Sequence, residues 1–570
     1  MSKKNQPLGL PLVATVLALC LGATPLASNA QAQAQEREDL EKLRATVVGL
    51  LEVLIRSGIL PRDRVDALMR EAEKQANTRL AAAPPPEIGP DGKKVVRVPY
   101  VPDAVKTQMR DEIKTAVLAQ ARTEGWGSGS PSIAETGTKI QIEGDLRLRA
   151  EAIRPSESNS PASIYATDSP NLTRAPDIWD TGPFGSRAIN TQESLERTRV
   201  RARLGLNMGV TEGVTVGLGL STGNTTGPTS TNQTMGQGTA SSAGGYFNKY
   251  SLVLDKAFLR YEPWSFLSFS GGRFRNPFMG TDLVWADDLN FEGFALNAKP
   301  GRFADMDTFV NAGWFPLSFD VPRQSSARSL FGIQGGVNWQ FGTKANRLKL
   351  GVALYEYSGV EGVKETTADA NTVPAYGVRS EYGSGYRQRG NTLFRVNSSA
   401  DTLTTTNYWG LASGFRELDI TAVADIAVFD PVHIILTGDI VQNLKFKRGE
   451  ASARAGQTIT DGSGLGYLFK VQVGAPTIAK LGDWNAAFTY RRLGSDAVID
   501  AFTNSDFGLG GTNNRGIVLA GSYGLARNTW VTGRWMSSEL INSAVPASPT
   551  TNTQTKYSID TFQVELNARY

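Results

Sequence analysis

ERTRVRARLGLNM, residues 196–208, is the stretch whose reading decides the fold. Val200, Ala202, Leu204, Leu206 and Met208 alternate with Arg199, Arg201, Arg203, Gly205 and Asn207. A period of two puts the two sets on opposite faces of a β-strand. One face is apolar and the other carries three guanidinium groups in succession. Two settings suit such a strand. One is a soluble sheet whose polar side meets water; the other is a membrane barrel with lipid outside and a basic, water-filled lumen.

Outward from this stretch the same period persists. Ile140, Ile142, Leu146, Leu148 and Ala150 alternate with Gln141, Glu143, Asp145, Arg147 and Arg149. Residues 214–221, 347–354, 417–428 and 467–474 repeat the pattern, and no helix-period segment interrupts the series, which argues against a βαβ fold. Aromatic residues gather near the expected strand ends, at Trp264 and Phe266, Trp314 and Phe315, Trp339 and Phe341, Trp484, Trp530 and Trp535. That placement fits girdles at a membrane–water interface. Tight turns at 210–214 and 482–484 contrast with long polar stretches at 151–192, 222–250, 359–408, 447–464 and 542–555. Short turns at one end and long loops at the other are a membrane-barrel arrangement, and loops of that length are uncommon in compact soluble domains. Some of them are expected to fold into the lumen and narrow it.

The ends of the chain favour the membrane. Residues 1–30 read as a secretory signal: Lys3 and Lys4, an apolar core over 8–21, then small Ser28 and Ala30 at the cleavage-determining positions. Ala32 and Ala34 leave the cleavage site open. The one cysteine, Cys20, lies inside this segment, so no disulfide or thiolate metal site is expected in the mature chain. At the other end Phe562, Val564, Leu566, Ala568 and Tyr570 alternate with polar residues up to the last position. Such a strand resembles the terminal strand of bacterial outer-membrane barrels, which the assembly machinery recognises, although Ala568 departs from the aromatic often found at its place. Phe562, Val564, Leu566 and Tyr570 are therefore the expected assembly signal.

Length and composition agree. A chain of 570 residues is too long for one ordinary soluble domain, and 40% hydrophobic residues is low for a helical membrane protein. Residues 31–83 carry an apolar stripe (Leu40, Leu43, Val47, Leu50, Leu54) that predicts a helical hairpin or a short coiled coil. Residues 84–136 read as a Pro/Gly linker followed by a helix that begins near Asp103, and the barrel is expected over 137–570.

Several segments together resemble the putative porin family of Gram-negative outer membranes, similar in style to the phosphate-selective porins. They are VRVPYV (96–101), GDLRLR (144–149), 197–206, GRFRNPF (272–278), TDLVWADDLNFEG (281–293) and 490–513 with its SDFGLGGTN. The resemblance implies an all-β antiparallel transmembrane barrel of about 16–18 strands, preceded by a periplasmic helical or coiled-coil segment. The resemblance names no solute; the expected function is passive diffusion of small hydrophilic solutes through the barrel, without enzymatic activity. The expected partners are outer-membrane lipid, the barrel-assembly machinery and small hydrophilic solutes or anions, with a homotrimer left open; nothing points to nucleic acid or to a cofactor. A rival role, tethering the envelope through the N-terminal helices, also fits a segment that a simple pore does not need.

Candidate pore-lining residues follow from the polar faces: Arg147, Arg149, Arg199, Arg201 and Arg203, with Arg260 and Arg273 in a further cluster. Rings of Arg favour anions, because a guanidinium pairs with carboxylate or phosphate through two prongs. Asp145, Glu143, Asp282, Asp287 and Asp288 oppose that preference. His433, the one histidine, has no recognisable nucleophile motif beside it, so catalysis is not expected. The acidic segments 282–288 and 504–513 offer hard oxygen ligands for calcium, but the second lacks the ligand order of a calcium loop, and no metal is expected.

Overall fold

The computed structural model describes residues 140–159 and 193–570. Within the latter it leaves out 226, 238–243, 304, 321–325, 343–345, 365–379, 384, 397–407, 457, 460–461 and 543–555. The expectations for 1–30, 31–83 and 84–136 lie outside the described residues.

The strands, in chain order, are β1 (Ile140–Pro155), β2 (Leu195–Thr211), β3 (Val214–Thr222), β4 (Gln233–Thr234), β5 (Leu252–Trp264), β6 (Leu267–Arg275), β7 (Asn290–Phe303), β8 (Met306–Ser318), β9 (Arg328–Phe341) and β10 (Asn346–Ser358). They continue with β11 (Leu393–Arg395), β12 (Trp409–Leu411), β13 (Arg416–Phe429), β14 (Val432–Asn443), β15 (Leu465–Gly474), β16 (Trp484–Leu493), β17 (Asn514–Ala526), β18 (Thr529–Leu540) and β19 (Ser558–Arg569). β4 is a short addition beside β2, and β11 and β12 pair only with each other. The others form a closed antiparallel barrel of 16 strands. Each pairs with the next along the chain, and β19 returns to β1 with Asp145 opposite Arg569 and Pro155 opposite Ile559. Closure leaves no edge strand with unpaired backbone groups, which a sheet in hydrocarbon requires.

Burial runs opposite to that of a soluble protein. Ile142, Phe294 and Val564 are more than half exposed, whereas Glu417 and Asp439 are wholly buried. The apolar side of each alternating strand faces out and the polar side faces in, as in a barrel solvated by lipid. Trp264, Trp339 and Trp484 stand outward at the short-turn ends of their strands. Phe315 corrects the girdle expectation: it lies inside the barrel, 2% exposed, while its neighbour Trp314 faces out. Residues 212–213 and 430–431 are tight turns, and the long connections all leave from the opposite strand ends. One of them, between β14 and β15, carries a short helix, α1 (Arg448–Ala455).

The lumen is not uniformly polar. The β6–β7 connection, residues 276–289, folds inward and brings Phe278, Leu283, Val284, Trp285 and Leu289 against Phe274, Phe291, Phe315 and Tyr355 of the wall. This aromatic core inside the barrel holds the loop across it. Gly293, just beyond the loop in β7, has φ +147 and sits where a Cβ would lie 2.3 Å from the Trp314 carbonyl oxygen of β8. Neither the conformation nor the space suits a side chain. Gly293→Ala should therefore lower stability by about 1–3 kcal/mol. A shifted urea midpoint of the refolded protein in detergent would show it, and an unchanged midpoint would refute it.

Candidate functional site

The β1–β2 register builds the basic ladder directly. Asp145 lies opposite Arg203, Arg147 opposite Arg201, Arg149 opposite Arg199 and Glu151 opposite Arg197. Two rungs thus place arginine against arginine, which is unfavourable unless carboxylates intervene. One of them lies in β1 itself and the other comes from the inward loop, far along the chain. Asp145 binds Arg201 at 2.8 Å and Arg203 at 2.7 Å, and Asp288 from the inward loop reaches both guanidiniums at 3.0 Å.

Arg149 is 1% exposed and surrounded by acids: Glu565 of β19 at 2.5 Å, Asp506 of the β16–β17 loop at 2.8 Å and Glu151 at 3.6 Å. Burial opposes charge on Asp506, yet Arg149, Arg534 and Arg199 hold its carboxyl well below the usual carboxylate range. Arg147 donates to the Asn232 side chain at 2.5 Å and stands 3.8 Å from Glu565. The Nε of Arg199 is buried without an acceptor among the described residues.

The five arginines of β1 and β2 are therefore brought together, and the other two are not. Arg260 lies over the Phe258 ring at 5.5 Å, nearer the short-turn end of β5. Arg273 donates to the Asp255 backbone oxygen at 2.9 Å and faces Glu292 at 3.9 Å, apart from the ladder. Lys470, Arg491 and Arg534 were not picked out from the sequence, but they extend the basic arc along β15, β16 and β18. Lys470 and Arg534 are single basic positions in their strands and Arg491 is the inward one of an adjacent pair with Arg492, and only the register assembles them.

Two cavities flank the inward loop and share Gly280, Thr281, Ala286, Asp287 and Asp288 in their walls. One, of about 480 Å³, meets Arg147, Arg201, Lys470, Arg491 and Arg534. The other, of about 430 Å³, meets Glu143, Asp145, Arg203, Asp255 and Lys256. Asp287 faces both. Burial, then Asp282 and Asp288 beside it, push its carboxyl up to about 6, against the pull of Arg534 and Lys470.

The two acidic segments meet each other: the Asn504 side-chain amide donates to Asp282 at 2.7 Å, and the Ala286 amide to the Phe502 oxygen at 2.8 Å. His433 Nδ1 lies 2.6 Å from Asp425 near the short-turn ends of β13 and β14. Phe562, Val564 and Leu566 of β19, and Tyr570 just beyond it, all face outward. The ring of Tyr570 lies over Gly144 of β1, where a Cβ would come within 2.3 Å of it, so the last residue covers the seam that closes the barrel.

The profile of a family described as "Putative porin" matches residues 44–570. The chain belongs to the putative porin family. Among solved structures this family member is similar to an anion-selective porin from Comamonas acidovorans, at 11% identity and a TM-score of 0.36, covering 76% of this chain and 100% of that one. It is also similar to OprB of Pseudomonas putida, at 8% identity and a TM-score of 0.40, covering 78% and 97%. The outer membrane channel DcaP of Acinetobacter baumannii gives 12% identity and a TM-score of 0.34, covering 76% and 97%. No curated protein matches the sequence. Likenesses this distant say nothing about what passes through a porin-family barrel, so selectivity has to be argued from the ladder and the loop.

Proposed function

We propose that the protein is a porin of the Gram-negative outer membrane that passes small hydrophilic solutes by passive diffusion and prefers anions. The observation that carries this reading is the basic arc on β1, β2, β15, β16 and β18 beside the inward loop. Guanidinium and ammonium groups lining a narrow aqueous path attract anions and slow cations. Size exclusion comes from residues 276–289, which cross the lumen. Of the arginines, Arg147, Arg201 and Arg203 are the ones assigned to the path. Arg149 is enclosed by carboxylates and acts as a strut. Phe562, Val564, Leu566 and Tyr570 are assigned to recognition by the assembly machinery, and the N-terminal segment to the periplasm.

The test is the reversal potential of the full chain in a planar bilayer under a salt gradient. A value on the anion side supports the reading, a value on the cation side removes the anion preference, and an absence of conductance removes the pore. The preference should also depend on pH. Asp287 is charged above about pH 6 and neutral below it, so lowering the pH from 7.5 to 5 removes one lumenal negative charge and should strengthen the anion preference. Asp287→Asn should show the low-pH value at pH 7.5 and lose most of the pH dependence. An equal pH dependence in that variant would place the titrating group elsewhere.

A further inference from the structure

We propose that the cavity lined by the basic arc holds a compact oxyanion, bound between Lys470 and Arg491. This rests on the channel reading above and names a binding site within it. The argument starts from unfilled donors. Buried polar groups in folded proteins are nearly always hydrogen-bonded, and one that is not marks a place for water or an ion. Arg491 is 1% exposed, and its Nε, Nη1 and Nη2 all lack an acceptor among the described residues. Its ion-pair partner, Asp282, stands off at 3.7 Å. The Phe507 ring lies 4.8 Å from the guanidinium carbon, covering one face and leaving the fork to be satisfied at its edges.

Lys470 supplies the second cation. Leu468 is opposite Arg491 and Lys470 is opposite Thr489, so Lys470 and Arg491 are diagonal neighbours on the lumenal face of β15 and β16. On its other side Lys470 faces Thr437 of β14. Diagonal positions stand about 7–8 Å apart at their backbones, a span that two long side chains close around one small anion. Lys470 has no ion pair among the described residues, whereas Arg149 and Arg201 in the same cavity are already matched by carboxylates. Arg147 in the same cavity also has an unbonded Nε but donates to Asn232, so most of the unfilled donors belong to Lys470 and Arg491, with the hydroxyls of Thr437 and Thr489 beside them.

A planar fork, a point cation and two hydroxyls match a ligand with several oxygens, carboxylate or phosphate in type, better than they match chloride. Asp282 and Asp287 line the same cavity. They disfavour a highly charged ligand and accept hydrogen bonds from one that carries its own hydroxyl. The preferred form is therefore a monovalent oxyanion with an O–H group.

The probe is inorganic phosphate. Its binding to the full folded chain in detergent micelles is measured by calorimetry, and its effect on chloride conductance is measured in planar bilayers. The proteins are the wild type, Lys470→Gln, Arg491→Gln and Arg491→Lys. Wild type should bind saturably, and its chloride conductance should fall along the same saturation curve. Lys470→Gln should bind about tenfold more weakly, about 1.4 kcal/mol. Arg491→Gln should bind at least as weakly, and Arg491→Lys should recover part of the loss. Lys470 is only half-buried, so its variant decides the matter even where the Arg491 variants fail to fold. Absence of saturable binding in the wild type, or equal binding in Lys470→Gln, overturns the site. Binding that is lost in Lys470→Gln, in a protein with no conductance, supports the site and overturns the channel reading instead.

Discussion

Replacing Arg149 by alanine is expected to cost about 3–5 kcal/mol, the penalty for leaving buried charges without their partner. The side chain is effectively inaccessible, and Glu565, Asp506 and Glu151 all direct carboxylates at it. Removing the guanidinium takes from Asp506 its ion pair and from Glu565 its nearest cation, leaving Glu565 with Arg534 at 3.5 Å and Glu151 with Arg197 at 2.5 Å; Glu151 and Glu565 lie in the strands that close the barrel. β1 carries Glu151 and β19 carries Glu565, and the β1–β19 ladder joins the first and last strands of the barrel. The loss therefore falls on the seam, where no neighbouring hairpin turn compensates for it. The urea midpoint of refolded Arg149→Ala in detergent should drop sharply, and less of the protein should reach the compact, heat-modifiable form on electrophoresis. Arg149→Met combined with Glu565→Gln should recover much of the loss, because it removes one stranded charge and keeps the volume. A midpoint within error of the wild type for the single variant would show that water, not Arg149, satisfies these acids.

The sequence is informative about faces and uninformative about partners. In residues 196–208 strict alternation places Arg199, Arg201 and Arg203 on one side, and the structure keeps them there, opposite Arg149, Arg147 and Asp145. Nothing local shows that Arg149 meets Glu565, 416 positions away, or that Arg201 meets Asp288. Those contacts depend on register and barrel closure, which only the whole sheet sets. Lys470, Arg491 and Arg534 stayed invisible for the same reason. The 281–293 stretch posed a different problem. Leu283, Val284 and Trp285 are consecutive, do not alternate, and belong to a core inside the barrel, whereas a lumen is expected to be polar. Phe315 could have been read correctly. Two adjacent aromatics on one strand must face opposite sides, so Trp314 and Phe315 could not both belong to a lipid-facing girdle.

That inner core makes a second large effect, and it should fall on conductance and not on the barrel. Trp285 is 3% exposed and packs edge-on against Phe291 at 4.9 Å and Tyr355 at 5.0 Å. Truncating a buried tryptophan costs about 3–5 kcal/mol, and here that loss is borne by a loop that contributes no strand to the ladder. What remains holds the loop by polar contacts: Thr281 donates to Asp439 at 2.5 Å, the Met279 amide to Gln334 at 2.7 Å, the Ala286 amide to the Phe502 oxygen at 2.8 Å, and Asp288 pairs with Arg201 and Arg203. With its aromatic packing lost and only these polar contacts left, the segment should leave its place across the lumen for part of the time. Trp285→Ala should then keep a wild-type urea midpoint for the barrel to within about 1 kcal/mol, since mutations outside a cooperative unit leave its stability nearly unchanged. Its single-channel conductance should rise severalfold, with frequent transitions between levels. Trp285→Phe, which keeps an aromatic ring in the cluster, should restore most of the quiet, low-conductance behaviour. Steady wild-type conductance in Trp285→Ala would mean that residues 276–289 do not set the narrowest point, and size exclusion would have to be assigned to another loop. The two variants thus separate what closes the barrel from what narrows it: Arg149→Ala acts on the seam and Trp285→Ala on the loop.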